Sequence, residues 1–282
     1  MDISVVICTR NRGSQLRACL RVLERLRSGL DWETVVVDNG STDDTADVLR
    51  HYQGVSRRPF IIVDEPRRGL GRARNAGWRA ASAPVIAFLD DDCYPAEDFL
   101  DRVAECFRAS NLGYLGGRIL LHDPTDLRLT LLELGQRVDF PPASFIPLGM
   151  IQGANLSIRR GALEEVGGFD ARLGAGTRYP CEDVEIAARL SARGWVGAFD
   201  PRPVVYHHHG RKTEAEAWKV LCGYAVGGGV YYAKCLGYPG MRSLYLRKWL
   251  HYMGRQPLLK TLYEIRGAVS FFAHGLWQRD RV

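Results

Sequence analysis

Val85-Ile-Ala-Phe-Leu-Asp-Asp-Asp92 joins five apolar residues to three adjacent carboxylates. The apolar half predicts a buried strand. Three adjacent carboxylates repel one another and would be costly without a cation. At the carboxyl end of a strand they can present oxygens to a divalent metal that also binds two phosphates. The alternative is a solvated acidic turn that caps the next helix, but the apolar strand directly before the triplet favours a functional site.

Similar apolar runs alternate with helical patterns through the first hundred residues. We expect strands at residues 3–8, 34–38, 60–63 and 85–89. We expect a first helix capped by Ser14, helices at residues 42–52 and 69–81, and another that starts near Pro95. This alternation predicts an α/β fold with a mostly parallel central sheet flanked by helices. Ligands in such sheets bind beyond the carboxyl ends of the strands.

The pattern loosens in the second half of the chain. We expect strands at residues 114–121, 151–158 and 203–207, and a helix at residues 182–193. Residues 122–150 carry four prolines and show little period, and long irregular segments of this kind are often functional. From about Thr213 the pattern is helical. We therefore predict one domain at residues 1–210 and a helical C-terminal extension at residues 211–282.

The extension is basic and aromatic. Residues 1–210 hold 26 Lys and Arg against 28 Asp and Glu, whereas residues 211–282 hold 12 against 4 and also carry 12 of the 28 aromatic residues. Such a tail suits an anionic membrane surface, and a helical subdomain with solvated cations is an equal alternative. Its aromatic residues could equally form a homodimer surface. No recognition motif accompanies the charge, so we expect no nucleic-acid partner.

The cysteines and the N-terminus bear on the compartment. The seven cysteines are scattered, without the close spacing of a zinc or redox motif. The chain enters its first strand without a basic leader, and no stretch reaches the roughly 20 apolar residues of a membrane span. We expect a reduced, cytoplasmic protein, and peripheral attachment at the inner face of the membrane is one of the two roles left open for the basic tail.

Four other polar clusters accompany the acidic triplet. Asp38 ends a strand and could accept a hydrogen bond from a base N–H, although turn chemistry also explains it. The arginines and glycines of residues 67–77 could face a diphosphate or form an exposed basic helix face. Glu182 and Asp183 open a helix, where acidic residues are common. One of the three histidines at 207–209 could bind a metal.

Taken in order, these motifs resemble family 2 glycosyltransferases with the GT-A fold. The resemblance runs over roughly residues 1–210, which would be the catalytic domain, and leaves the extension undefined. It rests on the following segments: Val5-Val-Ile-Cys-Thr-Arg-Asn-Arg12, Val35-Val-Val-Asp-Asn-Gly-Ser-Thr-Asp43, Gly69-Leu-Gly-Arg-Ala-Arg-Asn-Ala-Gly77, Phe88-Leu-Asp-Asp-Asp92, Gly167-Gly-Phe-Asp170 and Glu182-Asp183. The family often has proline where Cys8 stands and tyrosine where Arg10 stands, so this chain departs from the family pattern at the base-stacking contact.

The resemblance also implies roles for individual residues. Asp183 would be the general base of the Glu-Asp motif, and Asp90 and Asp92 would form the DxD motif. Asp92 would bind the metal directly, and Asp90 would face the ribose or the metal. The remaining assignments are Thr9 and Arg10 in the first nucleotide-binding loop, Asp38 on the base, Arg72 to Asn75 along the nucleotide pocket, and His207, or else His209, on the metal.

The function implied is transfer of a hexose-type sugar, with inversion, from a nucleoside-diphosphate donor to a hydroxyl group. Mn²⁺ or Mg²⁺ would sit on the diphosphate, and Asp38 favours a UDP- or dTDP-sugar. The acceptor would be a glycan, a lipid-linked molecule or a small molecule. A sugar-nucleotide nucleotidyltransferase is an alternative, but such enzymes usually have a Gly-rich loop where Thr9-Arg-Asn-Arg-Gly13 stands. A non-catalytic nucleotide-sugar-binding scaffold would not need Asp90, Asp92 and Asp183.

Overall fold

The computed structural model describes residues 1–274, and its first half is a parallel sheet. The strands are β1 (Ile3–Thr9), β2 (Trp32–Asp38), β3 (Phe60–Asp64) and β4 (Val85–Asp90), and the helices between them are α1 (Gly13–Leu23), α2 (Thr45–Val55) and α3 (Leu70–Ala80). The strands lie in the order β3-β2-β1-β4, and all three neighbouring pairs are parallel. The predicted α/β alternation is therefore confirmed here.

Apolar side chains on both faces of this sheet explain why it is buried between helices. In β1, Val5 and Ile7 belong to a core cluster with Leu16 and Leu20 of α1. The residue between them, Val6, belongs to a second cluster on the other face. Successive side chains of a strand point to opposite faces, so a continuous apolar run requires helices on both sides.

The second half of the sheet has mixed direction. It is built from β5 (Cys93–Pro95), β6 (Leu112–Leu121), β7 (Val138–Phe140), β8 (Asn155–Arg159) and β9 (Val196–His207). Strand β8 runs antiparallel to both β4 and β6, whereas β6 is parallel to β9. Strands β5 and β7 pair antiparallel with β9. The central sheet flanked by helices is confirmed, with its parallel part concentrated in β1 to β4.

Several expected boundaries are corrected. Helix α4 (Phe99–Ala109) begins four residues after Pro95, because Pro95 belongs to β5 and pairs with Val205. Helix α1 begins at Gly13, so Ser14 lies inside it and is not its cap. Strand β8 starts later than residue 151 and β9 earlier than residue 203. Helix α5 (Arg160–Val166) was not expected. Helix α6 (Glu182–Ala192) agrees with the expectation.

Within residues 1–274, three helices follow β9 and share the core of the sheet. They are α7 (Glu214–Cys235), α8 (Arg242–Met253) and α9 (Leu258–Ala273). Helix α7 starts at a capping box formed by Thr213 and Glu216. Its buried Lys234 binds Asp170 and lies 3.1 Å from an oxygen of Glu185 in α6. These contacts join the extension to the sheet domain, and the boundary at residue 210 stays a prediction.

Helices α7 and α9 approach each other closely because glycines face the contact. A Cβ atom at Gly229 would overlap the backbone carbonyl of Glu264, and one at Gly267 would overlap the carbonyl of Val226.

In the part of the chain that the structure describes, every helix is too short or too polar to cross a bilayer.

Candidate active site

A cavity of about 1110 Å³ opens beyond the carboxyl ends of β1 and β4. This is where ligands bind in sheets of this kind. Its walls come from the ends of these strands, the start of α6, the irregular segment before β8, and helices α7 and α9. The predicted site residues that line it are Thr9, Arg10, Asp90, Asp92, Asp183 and His207.

The acidic triplet is held in place by groups from β1 and the loop after it. Arg12 lies 2.8 Å from an oxygen of Asp91 and 2.5 Å from an oxygen of Asp92. Thr9 donates a 2.6 Å hydrogen bond to Asp91. Burial raises the pKa of Asp91 to about 7 despite the nearby Arg12 charge. Asp90 is about one-third exposed and faces the cavity, so the three carboxylates have different environments rather than forming a solvated turn.

His207 ends β9 beside Asp92. Its Nε2 lies 3.4 Å from Oδ1 of Asp92, and its Nδ1 lies 3.1 Å from the hydroxyl of Thr130. Burial acts to lower the pKa of His207, but the hydrogen bond and the charge of Asp92 outweigh it, and the pKa is raised. Burial acts to raise the pKa of Asp92, but His207 and Arg12 outweigh it, and that pKa is lowered.

These residues offer a donor set for a divalent cation. Ligand atoms of Asp92, Cys93 and His207 all lie within 4.8 Å of one another. Burial raises the pKa of the Cys93 thiol well above its usual value, so the thiolate that a metal would bind is disfavoured. The oxygen of Asp92 and the imidazole of His207 remain, with Asp90 nearby. Carboxylate and imidazole ligands suit Mn²⁺ and, for the oxygens, Mg²⁺.

Asp183 enters the same cavity from the first turn of α6. Its Oδ2 accepts a 2.9 Å hydrogen bond from the backbone N–H of Gly153. Gly153 passes so close to Arg74 that a Cβ atom would overlap the guanidinium. Cys181, which precedes the motif, has φ of 121°, in the left-handed range that favours glycine. Such strain is typical of functional sites, and here it sets the direction of the first turn that carries Asp183.

Arg74 connects the two acidic motifs. It is 3% exposed, lies 2.8 Å from an oxygen of Glu182 and 3.2 Å from an oxygen of Asp90. Burial raises the pKa of Glu182, although the Arg74 charge opposes the shift. Arg74 therefore fixes the end of β4 against the start of α6. The sequence placed it only within the range Arg72 to Asn75, and it gave no role to Arg12 or Thr130.

Three predicted nucleotide contacts lie elsewhere among the residues that the structure describes. Arg72 lies on α3 two residues before Arg74, outside the cavity lining. Asn75 exchanges two hydrogen bonds with the backbone of Phe169 and accepts one from Trp78. Asp38 accepts a hydrogen bond from the N–H of Ser41. The cavity lining includes Arg68, Arg74 and Asn39 but none of these three residues, whose contacts with a nucleotide stay predictions.

Arg10 donates a 3.3 Å hydrogen bond to the carbonyl of Gly40, which joins the loops after β1 and β2. Of the other two histidines, His209 bonds the backbone of Leu127 and Arg211. His208 lies 3.2 Å from the hydroxyl of Tyr94. The structure therefore brings the imidazole of His207, rather than the imidazoles of its two neighbours, next to the carboxylate of Asp92.

The fold and this cavity define a nucleotide-sugar transferase of the GT-A class, and comparisons with known proteins define the family. A model described as "Glycosyl transferase family 2" matches residues 4–167. The chain belongs to glycosyl transferase family 2, which confirms the fold and the enzyme class that the motifs indicated.

Individual relatives are similar to this chain at about 30% identity. The validoxylamine A glucosyltransferase of Streptomyces hygroscopicus subsp. jinggangensis is 30% identical over 68% of this chain and 52% of its own. The pre-mycofactocin glycosyltransferase of Mycobacterium tuberculosis H37Rv is 28% identical over 77% of this chain and 44% of its own. The chain therefore spans about half the length of these relatives.

Solved structures share the fold at low identity. The mannosyltransferase PcManGT from Pyrobaculum calidifontis, in complex with GDP-Man and Mn²⁺, has a TM-score of 0.63 at 19% identity, over 96% of this chain and 80% of its own. S. aureus TarS 1-349 in complex with UDP-GlcNAc has a TM-score of 0.59 at 16% identity, over 87% of this chain and 69% of its own.

Proposed function

We propose that this chain transfers a hexose-type sugar, with inversion, from a nucleoside-diphosphate donor to an acceptor hydroxyl. One observation carries the proposal: the cavity beyond β1 and β4 holds Asp183 together with Asp90, Asp92 and His207. A carboxylate suited to act as the base and groups suited to hold a donor-bound metal therefore share one cavity. Membership of family 2 supports the reaction class.

Asp92 and His207 would hold the divalent cation, with Asp90 beside them toward the ribose or the metal. The donor chemistry of these groups fits Mn²⁺ or Mg²⁺, and the similar mannosyltransferase was solved with Mn²⁺. A cation bound there offsets the negative charge that builds on the leaving diphosphate. Arg12, which pairs with both Asp91 and Asp92, holds the acidic end of β4 beside that position.

Asp183 would act as the general base. As the acceptor oxygen forms a bond to the anomeric carbon, the bond from that carbon to the diphosphate oxygen breaks, and the acceptor proton passes to the carboxylate of Asp183. Attack from the face opposite the leaving group inverts the anomeric centre. The N–H of Gly153 fixes one carboxylate oxygen at 2.9 Å, which orients the group for this role.

The donor and acceptor are the finer parts of the proposal. Asp38 ends β2 in register with Thr9 of β1, and a carboxylate there favours the ring N–H of uracil or thymine, hence a UDP- or dTDP-sugar. Arg10 and Thr9 would belong to the nucleotide loop, and Arg72 and Asn75 would support the same pocket from α3. The acceptor would be a glycan, a lipid-linked molecule or a small molecule. Peripheral attachment to a membrane and a homodimer are alternative roles for the C-terminal helices.

Replacing Asp183 by Asn tests the base. We expect release of nucleoside diphosphate from the donor in the presence of acceptor to fall by about 10²–10⁴-fold, the usual contribution of such a base. Metal-dependent binding of the diphosphate should be retained, because the carboxamide oxygen of the new side chain can still accept the Gly153 hydrogen bond. Asp98→Asn, which changes an exposed carboxyl at the start of α4, is the matched control and should keep full activity. Turnover retained in Asp183→Asn would contradict the assignment.

A further inference from the structure

Helix α9 has apolar residues on two opposite faces. One face is buried against α7 and includes Gly267, Ala268 and Phe271. The other face is solvent-exposed and is defined here as the C-terminal apolar surface. It consists of Leu258, Leu262, Ile265, Val269 and Phe272, with Leu258 74% and Val269 61% exposed. A helix on the surface of a globular domain normally turns polar residues outward, so this spacing of four and three residues marks a face suited to an apolar partner rather than to water.

At its Leu258 end, the C-terminal apolar surface lies beside the active-site cavity, which is lined by the neighbouring Leu259. Helix α8 exposes Leu246 and Leu250, and α7 exposes Trp218, Leu221 and Tyr224. Trp218, Leu221, Tyr224 and the exposed Leu259 of α9 also line the catalytic cavity. The mouth of the cavity on this side is therefore apolar and opens next to the apolar surface. A polar sugar ring gains little from contact with an apolar mouth, whereas a hydrocarbon chain would be stabilised by burial there.

The charge around this surface selects its partner. In helices α7 to α9 and the segments between them, seven exposed side chains are cations: Lys219, Arg242, Arg247, Lys248, Arg255, Lys260 and Arg266. The exposed carboxylates there are Glu214 and Glu216 in the first turn of α7, whereas Glu264 is buried and accepts hydrogen bonds from Trp249 and Gln256. Two copies of such a surface would repel each other, but it complements an anionic lipid headgroup layer.

We propose that the C-terminal apolar surface docks on an anionic membrane and that the cavity mouth receives an acceptor attached to a lipid. The acceptor part rests on the proposed glycosyl transfer; the docking part does not. The exposed leucines, Val269 and Phe272 enter the acyl boundary, and the cations lie at the headgroups. The acceptor hydroxyl reaches Asp183 while its hydrocarbon part leaves between Trp218 and Leu259 toward the bilayer.

Vesicle flotation with the whole chain tests the docking. We expect binding to phosphatidylcholine vesicles that contain phosphatidylglycerol, little binding to pure phosphatidylcholine, and weakening by salt. Leu262→Asp and Val269→Asp should each weaken binding about tenfold or more, since each removes a buried apolar side chain. Val55→Asp, at an equally exposed apolar position on α2, is the control and should bind as the unchanged protein does.

Charge variants test the choice of partner. Arg247→Ser and Arg255→Ser should each weaken binding to the anionic vesicles about fivefold, and Arg108→Ser on α4 should have no effect. Equal binding to neutral vesicles would overturn the proposal. So would absence of vesicle binding together with a dimer in sedimentation velocity that Val269→Asp dissociates, because the surface would then be a contact between two copies.

The position of the cavity mouth at the membrane can be tested by fluorescence quenching. Vesicles with brominated acyl chains should quench tryptophan fluorescence, and Trp218→Phe should remove part of that quenching. Quenching that Trp218→Phe leaves unchanged would overturn the placement of the mouth, and with it the lipid-linked acceptor. Metal-dependent binding of nucleoside diphosphates, measured without lipid, separates the two proposals. If no such binding is found, the transferase reaction is contradicted, whereas vesicle binding would still support the docking.

Discussion

Replacing Arg74 by Ala should destabilise the fold strongly. Arg74 and Glu182 are 3% and 7% exposed and lie 2.8 Å apart. Removing one partner of a buried ion pair leaves the other charge uncompensated, which costs about 3–5 kcal/mol. For a chain of this size each kcal/mol lowers the melting temperature by about 2–4 °C, so the expected fall is roughly 6–20 °C.

Urea denaturation of the single and double variants measures this directly. Arg72→Ala, on the same helix two residues earlier and partly exposed, is the control and should stay within about 0.5 kcal/mol of the unchanged protein. Arg74→Met combined with Glu182→Leu should recover part of the loss, because no buried charge remains uncompensated. A loss below about 1 kcal/mol in Arg74→Ala would refute the view that Arg74 carries the charge balance between β4 and α6.

Other variants and conditions test the metal site and the helix packing. Asp92→Ala should abolish the dependence of nucleoside-diphosphate affinity on Mn²⁺ in calorimetric titration, and unchanged metal-dependent affinity would place the ligand elsewhere. As the pH falls through the raised pKa of His207, the proton displaces the metal, so Mn²⁺-dependent affinity should fall by about tenfold per pH unit. The ion pair of His207 with Asp92 has the opposite pH dependence: its contribution to folding stability is complete below the ordinary histidine pKa and is lost as the pH rises through the raised one. A Mn²⁺-dependent affinity that stays constant between about pH 6 and 8 would argue against His207 as a ligand. Gly229→Ala should destabilise the protein by at least about 1–3 kcal/mol through overpacking against α9. Gly223→Ala in the same helix, where a Cβ meets open space, should instead be neutral or stabilising by up to about 1 kcal/mol, and equal effects in thermal denaturation would contradict the close contact.

The parallel half of the sheet was predictable because its cause is local. Each of β1 to β4 is a short apolar run bounded by turn residues, and the predicted strands agree with the structure within about two residues. The acidic triplet at the end of β4 was predictable for the same reason. Its position at the carboxyl end of a buried strand follows from the sequence around it.

The second half was less predictable because pairing partners decide it. Residues 93–95 look like the start of a helix, since Pro95 suits a first turn, but they form a strand through their contact with β9. Strand β9 itself begins at Val196, well before the apolar residues at 203–207, because β6 and β7 supply hydrogen bonds along its length. Local propensity is a weak guide where tertiary contacts compete with it.

The same distinction applies to the site. The motifs indicated Asp90, Asp92, Asp183 and His207, and in the structure all four line one cavity. Their individual roles stay predictions. The ion pair between Arg74 and Glu182 joins residues 108 positions apart, and no local pattern shows which arginine of α3 makes it. A helix turns by about 100° per residue, so neighbouring residues point in different directions. Arg74 lines the cavity, whereas Asn75, one residue later, packs against Phe169.

If the cavity binds a nucleoside diphosphate through a divalent metal, that ligand should stabilise the folded protein. Thermal denaturation with UDP, dTDP, GDP and ADP, each with and without Mn²⁺, measures this stabilisation. A ligand at about 100 times its Kd stabilises the folded state by about 2.7 kcal/mol, which corresponds to roughly 5–10 °C here. We expect one diphosphate, UDP or dTDP, to give such a shift only with Mn²⁺, and Asp92→Ala to lose it. No shift with any of the four, in a protein that unfolds cooperatively, would contradict the account.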